Sequence, residues 1–138
     1  MASTIDNSAS FSYDGFAGGK LFVFDHYLDF TDTDLQLAQN ETMSLTLFPV
    51  GTIILAAQIK VETADTDVID VDLGYTTNGA TGAQLIDGVT LATTGYKFTA
   101  GIAAALPITT ASYLVLTNKD ASTIDEAKIR VIVIGVKP

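Results

Sequence analysis

The feature that most constrains this sequence is an alternation of apolar and polar side chains with a period of two. Between residues 68 and 75, Ile69, Val71 and Leu73 alternate with Asp70 and Asp72. Successive side chains of a β-strand point to opposite faces, so this pattern predicts a strand with one buried face. Similar alternation, or short apolar runs between Gly, Thr, Asn and Asp, marks further strands. The eight predicted strands are 20–25, 43–47, 53–63, 68–75, 84–87, 96–99, 113–117 and 128–136.

Helical segments are short by comparison. Residues 101–106 are rich in alanine but are ended by Pro107, and residues 122–128 have room for a single turn capped by Ser122. Isolated helices of this length are marginal in water. The sequence therefore predicts an all-β protein with a single-domain β-sandwich, and a jelly roll of about eight strands is the form expected.

Residues 1–19 differ from the rest of the chain. Phe11, Tyr13 and Phe16 lie there among small polar residues and glycines. Such a segment has too little apolar surface to offset the entropy of ordering it alone. We expect a flexible N-terminal arm at 1–19 and the β-sandwich at 20–138. The arm is either a frayed terminus or a set of aromatic anchors for a neighbouring surface.

Two predicted strands are apolar on both faces. In 128–136, alternate residues on each side are Ile or Val, and in 20–25 Phe22 and Phe24 oppose Leu21 and Val23. The outer face of a two-layer sandwich is normally wet, so the second apolar face must contact a loop, the arm or another subunit. The candidate assembly contacts are Phe11, Tyr13, Phe16, Phe22 and Phe24.

Composition limits the function classes. Seven basic against sixteen acidic residues give a net charge of −9, which argues against binding to nucleic acid or to an anionic membrane surface. The chain has no cysteine, no signal-peptide pattern and no apolar run near the ~20 residues of a membrane-spanning helix. Charged residues are only 17% of the chain, so we expect surface to be covered by a partner or by further copies.

No residue pattern predicts catalysis. His26 is the only histidine, which is too few for a cupin-type metal site, and no Gly-x-Ser-x-Gly motif presents a nucleophile to it. We expect it at the surface or at a strand end. The glycine-rich segment 74–82 lacks a phosphate-binding motif, so 74–83 is expected to be a solvent-facing loop that tolerates insertions. The chain is predicted not to be an enzyme, with no catalytic, cofactor-binding or metal-binding residue.

Two acidic runs leave one alternative open. Asp25, Asp29, Asp32 and Asp34 form the first, and Asp65, Asp67, Asp70 and Asp72 form the second. Calcium prefers oxygen ligands, and Asp65 and Asp67 are the candidate ligands, although the EF-hand pattern is absent. Solvated carboxylates that keep an apolar fold soluble are the interpretation we favour.

The pattern also gives a register test. If 53–63 and 68–75 form a hairpin, the odd-numbered residues of both strands face the core and paired residue numbers must sum to an even number. Lys60 then lies opposite Asp70 or Asp72.

The order of segments over 43–138 resembles a known family. Residues 49–52 lead into the strand 53–61, 68–74 runs into "DLGYT", and "LATTGY", "YLVLTNKD" and "AKIRVIVIGV" follow. This succession is similar to the capsid decoration, or cement, proteins of tailed bacteriophages. The resemblance implies a jelly roll or related β-sandwich, homo-oligomers (trimers or dimers) seated between capsomers, the major capsid protein as partner, and no catalysis or cofactor.

The function expected from these points is that of a structural virion protein. It is made in the host cytoplasm, binds the outer surface of a bacteriophage head and stabilises the capsid by bridging capsomers. Two alternatives remain: a calcium-dependent glycan-binding or receptor-binding β-sandwich module, and a tail or fibre component of the same particle.

Overall fold

The computed structural model describes residues 20–98 and 107–138, which form eight β-strands and no helix. Each strand lies at or within a few residues of a predicted one. The strands are β1 (Lys20–Asp29), β2 (Thr42–Phe48), β3 (Ile53–Thr63), β4 (Asp70–Thr76), β5 (Ile86–Thr90), β6 (Gly95–Lys97), β7 (Ser112–Asn118) and β8 (Lys128–Lys137). The described residues contain no helix long and apolar enough to cross a membrane.

The strands form two antiparallel sheets. The first has the order β1-β8-β3-β6 and the second the order β2-β7-β4-β5. Only β4 and β5 are both consecutive in sequence and paired, so most connections cross from one sheet to the other. This arrangement confirms the predicted all-β, single-domain sandwich, and the jelly roll stays a prediction.

The hairpin proposed for the third and fourth strands does not form. β3 lies in the first sheet and β4 in the second, so these two strands are not paired. The prediction that their paired residue numbers sum to an even number therefore does not apply. Lys60 pairs with Tyr96 and Arg130 instead of Asp70 or Asp72. Alternation shows which face of a strand is buried but not which strand lies beside it, and both strands bury residues in one shared core.

The core lies between the sheets and is filled by one face of each long strand. The inward residues of β1 and β8 include Phe24, Leu28, Val131 and Val133, each of which is at most 1% exposed. Burial of side chains such as these supplies the main favourable free energy of folding. The sequence-predicted apolar faces are therefore the faces that meet across the sandwich.

The connection between β4 and β5 covers the centre of the outer face of the second sheet. The Thr42 hydroxyl donates to the Gly79 carbonyl at 2.8 Å, and the Gln84 amide bonds to both the N–H and the C=O of Tyr75. Underneath, Val115 is fully buried. The expectation of a solvent-facing loop at 74–83 holds for Thr77, Asn78, Ala80 and Thr81, which are exposed, and is corrected for Gly74 and Gly82, which are buried.

Candidate functional site

The outer face of the first sheet carries a band of apolar side chains at one end. The pairing register places Leu21, Val136 and Ile53 in one row, and Val23, Ile134 and Ala56 in the next. The apolar residues of β1 and β8 in these rows are half-buried, whereas Ala56 and its neighbour Leu55 are exposed. We call this surface the β8 face and define it by Leu21, Val23, Ile53, Ile132, Ile134 and Val136.

The other end of the same sheet face is aromatic and charged. Tyr27, Arg130, Lys60 and Tyr96 form one row across the four strands. The Arg130 guanidinium lies 5.5 Å from the centre of the Tyr27 ring, and the Lys60 ammonium lies 5.6 Å from that of Tyr96. Both cations thus sit over aromatic rings, a contact worth about 0.5–1 kcal/mol at exposed sites.

The charges at this end balance one another. Arg130 contacts Asp25 at 3.2 Å and Glu62 at 3.3 Å. The pKa of Arg130 is raised above its ordinary value, first by the hydrogen bond that the guanidinium donates to Asp25 and then by the Asp25 charge. The paired residues Asp29 and Lys128 add one further charge of each sign. In a chain of net charge −9, this surface combines apolar area with balanced charge, which suits it to contact another protein.

The structure separates the predicted assembly contacts into two groups. Phe22 and Phe24 point into the core and are 2% and 1% exposed, so the folded chain does not present them at its surface. Their neighbours Leu21 and Val23 point outward. Phe11, Tyr13 and Phe16 lie outside the described residues. The sequence marked both faces of this strand as apolar, and Asp25 and Asp29, which share a face with Leu21 and Val23, are the signal that this face lies outside.

His26 is buried in the middle of β1, which corrects the expectation of a surface or strand-end residue. Its side chain shares the inward face with Phe24, with ring centres 6.0 Å apart, and the residue is 8% exposed. Burial lowers the pKa of His26, and the nearby Asp25 charge partly opposes that effect. An imidazole in this position is favoured in its neutral form.

This burial predicts a pH dependence of stability. In the unfolded chain His26 binds a proton at about pH 6.5, whereas in the folded chain it does so only at lower pH. The free energy of unfolding should therefore fall as the pH drops below about 6.5. Denaturant unfolding at about pH 7.5 and at about pH 5.5 measures this loss of stability. Carboxylates contribute little to the difference, because they titrate mainly below about pH 5.5. His26→Gln should remove most of the difference between the two pH values. An equal loss in that variant would exclude His26 as its source.

Acidic side chains from two connections lie close together, but they are not the pair of residues that the calcium hypothesis named. Carboxylate oxygens of Asp65, Asp125 and Glu126 lie within 4.8 Å of one another, and Asp67 is not one of the three. Desolvation and the neighbouring carboxylates raise the pKa of Asp125. Asp72, expected on the solvent side, is 4% exposed and accepts a hydrogen bond from Gly88 N–H at 2.8 Å.

The Asp65 carboxylate is already engaged by the backbone. One oxygen accepts the N–H groups of Asp125, Glu126 and Ala127 at 3.1–3.3 Å, and the other accepts that of Asp67 at 3.2 Å. Asp65 is 2% exposed. This carboxylate therefore ties the β3–β4 connection to the β7–β8 connection, which is a structural role.

Residues 20–98 and 107–138 form a β-sandwich of eight strands with an apolar outer face. No known protein family and no curated protein matches the sequence. Among solved structures, a chain of the capsid of Ralstonia phage GP4 is similar, with a TM-score of 0.66, 17% identity, and 98% of this chain and 96% of that chain covered.

Two further solved structures show the same likeness. A chain of the cyanophage Pam1 capsid asymmetric unit matches with a TM-score of 0.61, 20% identity and 100% of each chain. A chain of the acidic stable capsid structure of Helicobacter pylori bacteriophage KHP30 matches with a TM-score of 0.61 and 16% identity, over 86% of this chain and 88% of that one. At these identities the comparison establishes a shared fold.

Proposed function

We propose that this chain is a structural protein of a bacteriophage virion that binds the outer surface of the head and stabilises the capsid by bridging capsomers. The observation that carries the proposal is the likeness of its fold, over 86–100% of this chain, to chains of three phage capsids. Its partners are the major capsid protein and further copies of itself. Catalysis has no part in this function.

The β8 face supports an assembly role. The β4–β5 connection covers the centre of the second sheet's outer face, where Val115 is fully buried, and leaves the paired residues Leu47 and Tyr113 exposed at one end. The first sheet presents contiguous half-buried apolar rows around Val23 and Ile134. Contiguous apolar area that the chain itself does not fully bury marks a protein contact. We infer that this face is buried in the particle and that Phe11, Tyr13 and Phe16 of the N-terminal segment serve as further anchors.

Such a protein acts by mass action. A ligand that binds only the assembled shell stabilises it by about 2.7 kcal/mol per site when its free concentration is one hundred times Kd. The same contact repeated over symmetric sites then resists disassembly through many modest interactions.

A charge placed on the β8 face should reduce binding to particles. Ile134→Lys adds a cation to the apolar rows, and we expect about a tenfold or greater loss of chain co-sedimenting with heads that lack it. The matched control is Leu47→Lys on β2, because Leu47 is 51% exposed and lies on the other sheet. Equal retention of both variants, with unchanged melting, would show that the β8 face does not contact the shell.

A further inference from the structure

Three asparagines lie in the described residues, Asn40, Asn78 and Asn118, and they differ in what holds the backbone nitrogen that follows each of them. Such a nitrogen can attack the side-chain carbonyl carbon of the asparagine and close a five-membered ring, because the chain itself keeps the two groups together. A hydrogen bond that directs the N–H elsewhere opposes this attack. The hydrogen bonds of the fold therefore determine which asparagine can react.

Two of the three asparagines are held in an unreactive arrangement. The N–H that follows Asn40 donates to the Ala38 carbonyl at 3.1 Å, and the N–H that follows Asn118 donates to the Asp70 carbonyl at 3.0 Å. Asn118 is also fully buried. In both places the attacking nitrogen is directed at a carbonyl oxygen and away from the asparagine side chain.

Asn78 is placed differently, at the exposed tip of the β4–β5 connection. Its successor is Gly79, which has a φ of +74° and no side chain to hinder an approach to the Asn78 carbonyl carbon. Within the described part of the chain, the Gly79 N–H makes no backbone hydrogen bond to another loop. The nitrogen next to Asn78 is thus not directed elsewhere as it is at the other two sites.

A second contact favours the reaction at Asn78. The Ala80 N–H donates to Asn78 Oδ1 at 3.1 Å. That oxygen gains negative charge when the carbonyl carbon is attacked, and a backbone N–H aimed at a developing oxyanion stabilises the transition state. The turn therefore holds the side-chain amide with a donor on the oxygen that needs one.

The bond between Asp87 and Gly88 shows that a glycine successor is not sufficient. Asp87 is also exposed and Gly88 has a φ of +67°, close to that of Gly79. The Gly88 N–H, however, donates to the buried Asp72 carboxylate at 2.8 Å. We expect this hydrogen bond to protect the Asp87–Gly88 bond from the same ring closure.

We propose that Asn78 is a site of spontaneous deamidation, a modification that goes beyond the structural function proposed above. The Gly79 nitrogen forms a bond to the Asn78 carbonyl carbon, the bond from that carbon to Nδ2 breaks, and ammonia leaves with the proton lost by Gly79. Water then opens the resulting succinimide at either of its two carbonyl groups. The products are aspartate and isoaspartate at position 78, and each adds one negative charge.

The isoaspartate product changes the cover of the second sheet. It routes the main chain through the former side chain and so adds one carbon between residue 78 and Gly79. The Gly79 carbonyl is the acceptor for the Thr42 hydroxyl at 2.8 Å. The added carbon displaces this carbonyl, so the modified connection is less firmly attached to β2.

Peptide mapping by mass spectrometry tests the proposal on the purified full-length chain. The chain is incubated at mildly alkaline pH, folded and in denaturant, and aspartate and isoaspartate are measured at position 78. Because the fold leaves this site reactive, folding should slow conversion of Asn78 by less than about fivefold. A slowing of about fivefold or more would show that the fold protects Asn78 and would overturn the proposal.

Two variants test the route of the reaction. Gly79→Ala places a side chain beside the attacking nitrogen and should slow conversion of Asn78 about tenfold or more, with melting measured to show an intact fold. Asn78→Gln cannot close the five-membered ring and should abolish the isoaspartate signal of this peptide. Unchanged conversion in Gly79→Ala, or aspartate without isoaspartate in the native sequence, would exclude ring closure by the Gly79 nitrogen.

Discussion

Asp65→Ala is expected to lower the free energy of unfolding by about 2–4 kcal/mol, since hydrogen bonds to a charged acceptor contribute about 1.5–3 kcal/mol each and do not add fully. The substitution removes the acceptor for four backbone N–H groups in two connections. The N–H of Ala127 lies in a buried residue and is left without this partner. Chemical denaturation at neutral pH measures the loss.

The matched control is Asp67→Ala, two residues away. Asp67 is exposed, and its N–H is a donor to Asp65 that the substitution leaves in place. We expect a change within about 0.5 kcal/mol, as for ordinary surface positions. If Asp65→Ala were no more destabilising than Asp67→Ala, the carboxylate would not hold the two connections together.

Gly135→Ala is expected to lower the free energy of unfolding by about 1–3 kcal/mol, the range for forcing an extra carbon into a packed core. Gly135 lies in β8 with its missing side chain directed at the Phe22 ring. A Cβ there would overlap the Ile53 carbonyl oxygen and approach ring carbons of Phe22 to 2.7 and 2.8 Å. The close approach of three neighbouring strands therefore requires a glycine.

A double-mutant cycle with Phe22→Leu separates this clash from a general loss of strand stability. If the ring is the main obstacle, the double variant should be less destabilised than the sum of the two single variants. The Ile53 carbonyl remains, so the rescue is partial. Additive effects would mean that Gly135 is required for a reason other than contact with Phe22.

The alternation of side chains was sufficient to predict the strands but not their neighbours. All eight predicted strands occur, because a period of two directly reports one buried face. The proposed β3–β4 hairpin failed because burial of the same residues is equally compatible with strands on opposite sides of one core. Pairing depends on how the connections cross between sheets, and composition and periodicity do not encode that choice.

The sequence predicted that two strands have a second apolar face, but not which residues come together on the outer surface. The sequence showed that β1 and β8 are apolar on both faces, and the register then brought Val23 and Ile134 together on the outer face. Phe22 and Phe24 occupy the core, because the opposite face of β1 also carries Asp25 and Asp29, which are costly to bury. The role of Asp65 depends on contacts about 60 residues away along the chain, which no local pattern reports.

The measurement that tests the central claim most directly is quantitative mass spectrometry of density-purified phage particles from a lysate of the source. We expect many copies of this chain in each particle, in a fixed ratio to the major shell protein and lost when the heads are removed from the preparation. A few copies that follow the tail proteins would place the chain in a tail or fibre. Complete absence from purified particles would contradict a virion role.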